Sequence, residues 1–233
     1  MDTAIITGAS AGIGASAALL FSQKGFKVIN LSRRPCRVKG VLNLCGDISS
    51  KKALEKVLPT LNEAVRESNS ISLVHNAAKI RKDSVQTCAD EDLREMLEIN
   101  VIAINALNRA LIPHLPSGSS IIYVGSTLAM KAVPNSYSYI VSKHAQLGIM
   151  RSTCQDLMGK NIHTALINPG FTDTEMLKKH LNHDTELMTS LSKMNSFERL
   201  ASPSEIAEII MWVHQNPVVN GTVIDANLGQ KEN

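Results

Sequence analysis

Several protein classes are excluded by what the sequence does not contain. Its four cysteines, Cys36, Cys45, Cys88 and Cys154, are scattered with no C-x-x-C pair and no matching histidine spacing, which argues against a zinc site and a disulfide framework. Reduced thiols acting as small buried hydrophobes are the expectation. No apolar run approaches the ~20 residues a membrane span needs. No run of five like charges marks a nucleic-acid surface or a polybasic membrane patch. The opening MDTAIITG carries an acid at position 2 and reaches glycine by position 8, leaving no basic segment followed by an apolar stretch of the signal-peptide kind. A cytoplasmic protein is therefore expected, with no nucleic-acid or membrane partner. Internal repeats, low-complexity tracts and linkers rich in proline or glycine are also missing, so residues 1–233 are expected to form one domain.

What is present is enough for a sizeable core: 233 residues, 44% hydrophobic and 19% charged, with a formal net charge of +3. Short runs rich in β-branched residues recur at 3–7, 27–31, 41–45, 71–75, 120–125, 162–167 and 222–225, separated by stretches with helical spacing. Nearly all-apolar strands alternating with amphipathic helices describe a parallel sheet covered on both faces. The fold expected is therefore doubly wound, Rossmann-type α/β with about seven strands. One stretch breaks the alternation. Residues 174–200 are polar and carry Met176, Met188 and Met194, before Pro203-Ser204-Glu205 starts a new helix with proline in its first turn. That segment is either a mobile substrate lid or an ordinary surface helical hairpin.

After the first strand comes Thr7-Gly8-Ala9-Ser10-Ala11-Gly12-Ile13-Gly14, followed by a helical pattern over 15–24. Glycines at a strand-to-helix junction let the backbone turn sharply and approach a pyrophosphate, and they open a helix whose N-terminal amides favour anions. The alternative, a plain tight turn, fits the glycines but not their context. TGASAGIG resembles the T-G-x-x-x-G-x-G signature of short-chain dehydrogenases/reductases. The resemblance runs from Thr7 to the stretch 221–225 and implies Gly8, Ser10, Gly12, Ile13 and Gly14 as dinucleotide contacts.

The second strand ends Ser32-Arg33-Arg34, with no acid between Lys27 and Asp47. An acid near here accepts from an NAD ribose, whereas arginine holds the 2′-phosphate of NADP. Ser32 stands where NAD-type members of the family carry Asp, so the resemblance implies NADPH/NADP+ in preference to NAD, with Arg33 on the phosphate and Arg34 beside it. A solvated basic turn is the plain alternative, and Ala11 departs from the basic residue that many NADPH-type members place before Gly12. Asp47-Ile48 resembles the pair at the adenine ring, although Asp47 or Ser49 could instead cap a helix. His75-Asn76-Ala77-Ala78 departs from the family's N-N-A-G at both flanks. Asn76 is expected to brace the sheet and Ala77 to leave room for a ribose, with His75 structural.

Tyr139 and Lys143 lie four residues apart and so share one helix face. An ammonium beside a phenol stabilises its phenolate, so Lys143 is expected to lower the Tyr139 pKa. The pair alone is common in surface helices. Ser126, thirteen residues before Tyr139 at the end of a strand, matches the family's Ser–Tyr interval, and Tyr137 is excluded as the motif tyrosine because Val141 follows it by four. Asn100 falls in the apolar stripe of a helix expected over 93–111, where a polar side chain needs a partner. By resemblance Asn100, Ser126, Tyr139 and Lys143 are the catalytic set, with Asn100 supporting a proton relay to Lys143. Asn168-Pro169-Gly170-Phe171-Thr172-Asp173-Thr174 resembles the loop holding the nicotinamide, with Pro169, Gly170, Thr172 and Thr174 as contacts. Tyr139 and Lys143 would also touch the cofactor.

Together these imply an NADPH-dependent oxidoreductase moving hydride between the nicotinamide and a carbonyl or secondary alcohol, assembled as a homodimer or homotetramer. The alternatives are an NAD-linked dehydrogenase of the same family and a nucleotide-sensing module without chemistry. Small or apolar residues after Ser126 (Leu128, Ala129, Val133) suggest a partly apolar substrate pocket.

Overall fold

The seven apolar runs become the strands of one parallel sheet in a computed structural model that describes residues 1–231. The strands are β1 (Thr3–Thr7), β2 (Lys27–Ser32), β3 (Leu42–Cys45), β4 (Ile71–His75), β5 (Ser120–Val124), β6 (His163–Pro169) and β7 (Thr222–Ala226). Their order is β3-β2-β1-β4-β5-β6-β7. Every residue of β1, β4, β5 and β6 is buried, because helices cover both faces of a parallel sheet. Successive side chains of a strand point to opposite faces. Ile5 accordingly joins a core with Leu61, Leu107 and Met150, whereas Ile6 joins a second core with Phe21, Ile206 and Ile210. The first layer is built by α2 (Lys51–Arg66), α4 (Ala103–Leu111) and α5 (Tyr137–Asp156), the second by α1 (Gly12–Gln23) and α8 (Pro203–Gln215). Among the described residues no helix is long and apolar enough to cross a membrane.

Local rules place several helix starts. Ser202 caps α8, accepting from the Glu205 amide at 3.2 Å while Glu205 accepts from the Ser202 amide at 2.8 Å, a reciprocal capping box with Pro203 in the first turn. At α2 the cap is Ser50, accepting from the Ala53 amide at 3.3 Å, and neither Asp47 nor Ser49. Asp47 instead closes a turn on Ser49. The single helix expected over 93–111 is divided. α3 (Asp90–Leu97) passes into a π turn, Glu98–Ile102, before α4, and the Ala103 amide bonds back five residues to the Glu98 carbonyl. The segment 174–200 holds two short helices, α6 (Glu175–His180) and α7 (Thr185–Ser192).

His75, which is buried, and His214, which is half-buried, are held neutral. His75 bonds Asn108 at 2.8 Å and stacks on Tyr123, and burial pushes its pKa down to about 4, against the smaller raising effect of Asn108. His214 bonds Ser120 at 2.8 Å beside Phe21 and Phe26, and burial followed by the His163 charge lowers it likewise to about 4. In the unfolded chain both protonate near pH 6.5, so between pH 6.5 and 4 the unfolded state binds more protons. Stability is complete above that window and falls as pH drops through it, by roughly 3 kcal/mol for His75 alone. Urea unfolding at pH 7.5 and pH 4.5 is expected to show this loss, and equal stability at the two values would contradict it.

Candidate active site

The chain winds outward from β1 through β2 to β3, then returns to β4 on the other side of β1. A crevice opens at the carboxyl ends of strands where such winding reverses, and here it forms a cleft of about 1470 Å³. The glycine turn is its floor. Gly8 and Gly12 have positive φ, +72° and +56°, which L side chains rarely adopt. A Cβ on Gly14 would lie 2.4 Å from the Gly8 carbonyl oxygen. Thr7 and Asn76 stitch this turn to β4: the Thr7 hydroxyl accepts from the amides of Asn76 and Ala77, and the Asn76 amide group donates to the carbonyls of Thr7 and Gly8. Ala11 gives α1 no side-chain cap and no acid occupies its first turn, so its leading amides face the cleft without a competing anion. Such a cradle, too tight for a Cβ and uncapped, fits a dinucleotide pyrophosphate.

The basic turn after β2 lies at one end of the cleft, with Ser32, Arg33, Arg34, Asp47 and Ile48 in its wall. Ser32 does not present a free hydroxyl, since it donates to the Arg34 carbonyl at 2.6 Å. Asp47 is lowered chiefly by its bond from Ser49, with Arg33 contributing. Sequence reasoning missed Asn30, fully buried on β2. Its carbonyl oxygen accepts from the Ala9 amide at 3.1 Å, while its nitrogen donates to the Arg34 carbonyl and to Asn43. One side chain thus joins the glycine turn to the arginine turn, and a polar residue inside an apolar strand was its only signal.

Ser126, Tyr139 and Lys143 come together at the other end of the cleft. Tyr139 and Lys143 are 7% and 2% exposed, with the Lys143 ammonium 5.6 Å from the Tyr139 ring centroid. The expected lowering of Tyr139 is not what this environment produces. Burial pushes its pKa up to about 12, only partly opposed by a hydrogen bond with Ser126, and burial pushes Lys143 down to about 7. Lys143 spends its hydrogens on the Val124 carbonyl at 2.9 Å and Gln146 at 3.0 Å, so desolvation outweighs the attraction between the pair. Tyr139 therefore keeps its proton at neutral pH. Tyr137 is exposed and does not reach the cleft wall.

Three supports around this group were not read from sequence. Asn168 on β6 accepts from the Ser126 amide at 3.2 Å and donates to Asp225 on β7 at 3.0 Å, fixing the strand end that carries Ser126. Asp83, 6% exposed, accepts from the Ser138 amide at 2.9 Å and from its hydroxyl at 2.5 Å, pinning the first turn of α5 next to Tyr139. Gln146 is the third, through its bond with Lys143. Asn100, in the π turn and 1% exposed, spends its side chain on the Lys79 backbone (2.8 and 2.9 Å), Ser142 and Met96. It makes no side-chain bond to Lys143.

Pro169 ends β6, and the loop after it closes the cleft. Gly170 donates to the Ala226 carbonyl, and Thr172 donates its hydroxyl to the Gly170 carbonyl at 3.0 Å. The Thr174 oxygen caps α6 by accepting from the Leu177 amide at 3.2 Å, which leaves its hydrogen to donate elsewhere. A Cβ on Gly12 would meet Thr174 at 3.2 Å, so this loop and the glycine turn face each other across the cleft.

A doubly wound sheet with a tight glycine cradle at its switch point and a half-buried serine beside a buried Tyr–Lys pair in the same cleft defines a nucleotide-dependent oxidoreductase class. The profile described as enoyl-(acyl carrier protein) reductase matches residues 8–230, and the chain belongs to the short-chain dehydrogenase/reductase family. It is similar to the 3-oxoacyl-[acyl-carrier-protein] reductase FabG of Thermotoga maritima, 27% identical over 97% of this chain and 96% of that one. It is also similar to carbonyl reductase family member 4 of Danio rerio, 25% identical over 95% and 94%. A solved short chain dehydrogenase family protein from Francisella tularensis superposes with a TM-score of 0.89 at 26% identity, covering 98% of each chain. Enzymes of this family act on CH–OH/C=O groups with nicotinamide cofactors.

Proposed function

We propose that this chain is an NADPH-dependent carbonyl reductase. The observation that carries the proposal is a protonated, buried Tyr139 beside Ser126 at the end of a cleft whose far end carries Arg33 and Arg34. Gly8, Ser10, Gly12, Ile13 and Gly14 would hold the pyrophosphate, Arg33 and Arg34 the 2′-phosphate, and Pro169, Gly170, Thr172 and Thr174 the nicotinamide end. A bound nicotinamide supplies the hydride for the carbonyl carbon. The Ser126 hydroxyl orients the carbonyl oxygen, and Tyr139 donates its proton there as negative charge develops. Lys143 stands next in line to return a proton to Tyr139, while Asn100, Asp83 and Asn168 fix the elements that carry the reacting groups. Residues 174–200, with Met176 and Met194 in the cleft wall, cover the substrate end. Two of the similar proteins named above, the 3-oxoacyl-[acyl-carrier-protein] reductase and carbonyl reductase family member 4, are reductases by name, which supports the direction. The assembly proposed is a homodimer or homotetramer in the cytoplasm.

Steady-state consumption of NADPH and NADH with a panel of ketones and 3-oxoacyl thioesters tests this. Arg33→Ala is expected to raise KM for NADPH about tenfold or more, the worth of one charge-assisted phosphate contact, and to leave KM for NADH within about twofold. Equal effects on both nucleotides would remove Arg33 from the phosphate site.

A further inference from the structure

A second cavity of about 350 Å³ shares a wall with the cleft at the start of α5, lined by Lys82, Asp83, Asn135, Ser136 and His180 among others. Its walls bring together hydrogen-bond donors from three separate segments of the chain. Ser136, 8% exposed, makes no side-chain capping bond to α5 and no other side-chain hydrogen bond among the described residues. Lys82 and His180 approach from separate elements, the loop after β4 and the end of α6, closely enough that the Lys82 charge lowers His180, after the larger effect of burial. The cations preceding Lys82 in its loop are already matched, Lys79 with Glu95 and Arg81 with Asp92 and Glu95. Among the described residues neither Lys82 nor His180 has a carboxylate partner. The acid nearest in sequence, Asp83, has both oxygens engaged by Ser138 and also feels Arg81.

Lys82 is exposed and His180 half-buried, and an anion placed between them would be held by the ammonium and would favour the protonated imidazole. The first two amides of α5 are taken by the Asp83 carbonyl and carboxylate, so side chains rather than helix amides must do the holding. We propose that this cavity is a subsite for an oxyanion carried by the carbonyl substrate, a carboxylate or phosphate ester held by Lys82, His180 and the Ser136 hydroxyl. Ser136 precedes Tyr139 by three residues, which places the anion at the substrate end of the cleft and away from Arg33 and Arg34. This rests on the reductase reading and narrows its substrates to acidic carbonyl compounds.

The full-length protein is titrated with inorganic phosphate, and separately with pyruvate, acetoacetate and levulinate and their methyl esters, following the His180 imidazole by NMR. Lys82→Gln and Ser136→Ala serve as variants, and NADPH consumption is measured in parallel. Phosphate and at least one keto acid are expected to shift the His180 signal and raise its pKa, with no response to the esters. Lys82→Gln is expected to weaken acid binding and lower kcat/KM for the acid about tenfold, leaving a turned-over ester within twofold; Ser136→Ala is expected to act in the same direction. A silent His180, equal responses to acid and ester, or binding of phosphate without any keto acid would overturn the substrate subsite. Acid binding at His180 with no NADPH consumption on any carbonyl compound would instead sink the reductase reading and leave the subsite standing.

Discussion

Replacing Tyr139 with phenylalanine is expected to lower kcat for carbonyl reduction about a thousandfold while leaving NADPH affinity within a few-fold. The substitution removes one oxygen from a ring that is 7% exposed, so the packing around α5 is preserved and the change in stability is on the order of 1 kcal/mol. A positioned proton donor is worth roughly 10²–10⁴ in rate. Because burial keeps Tyr139 protonated near neutral pH, the donor is in its working state for reduction without prior activation. The oxidation direction needs the phenolate and is expected to accelerate as pH rises. Turnover by Tyr139→Phe within tenfold of the parent, measured by stopped-time product analysis, would take the proton step away from this residue. Unaltered nucleotide binding in a parent that turns over no substrate would support the sensing module instead.

The second large effect is expected from Gly14→Ala. Helix propensity alone favours alanine over glycine by about 1 kcal/mol, yet the added Cβ would sit 2.4 Å from the Gly8 carbonyl oxygen and 2.5 Å from the Asn76 side-chain nitrogen. Neither is the far end of a flexible chain: the first is backbone, and the second is fixed by bonds to Thr7 and Gly8. The glycine turn must therefore move. We expect a loss of about 2 kcal/mol in stability and of at least about a hundredfold in NADPH affinity, roughly 3 kcal/mol. Gly148 provides the control, because it lies in α5 with nothing within 4 Å of its would-be Cβ. Gly148→Ala should stabilise the protein by up to about 1 kcal/mol. If Gly14→Ala bound NADPH as tightly as Gly148→Ala does, the cradle would not be the pyrophosphate site.

How far the sequence reached depended on the range of the forces involved. The seven strands were legible because each is a short apolar run whose neighbours are set by local turns and crossover rules. β1 and β4 fall on the expected residues, and the remaining strands differ by one or two residues at one end or both. The glycine turn was legible because its positive-φ positions demand glycine. The start of α8 was legible from Pro203 in its first turn, and the structure adds Ser202 as its cap. What escaped notice is made by contacts distant in sequence. Asn30, Asp83 and Asn168 look like ordinary polar residues until the fold brings Ala9, Ser138 and Ser126 to them. The π turn was not legible: periodicity turns Asn100 inward, but not towards the Lys79 backbone twenty-one residues earlier, which its side chain bonds from within that turn. The Tyr139 pKa was misjudged for a related reason. Proximity of Lys143 can be read from spacing, but burial, the larger influence here, cannot.

Titrating the purified protein with NADPH and with NADH, followed by nicotinamide fluorescence, tests the central claim most directly. NADPH is expected to bind at least about tenfold more tightly, a preference worth ~1.4 kcal/mol or more. Binding of neither nucleotide, or of NADH as tightly as NADPH, would contradict the claim, the first by leaving the cleft without its cofactor and the second by leaving Arg33 and Arg34 without a phosphate to hold.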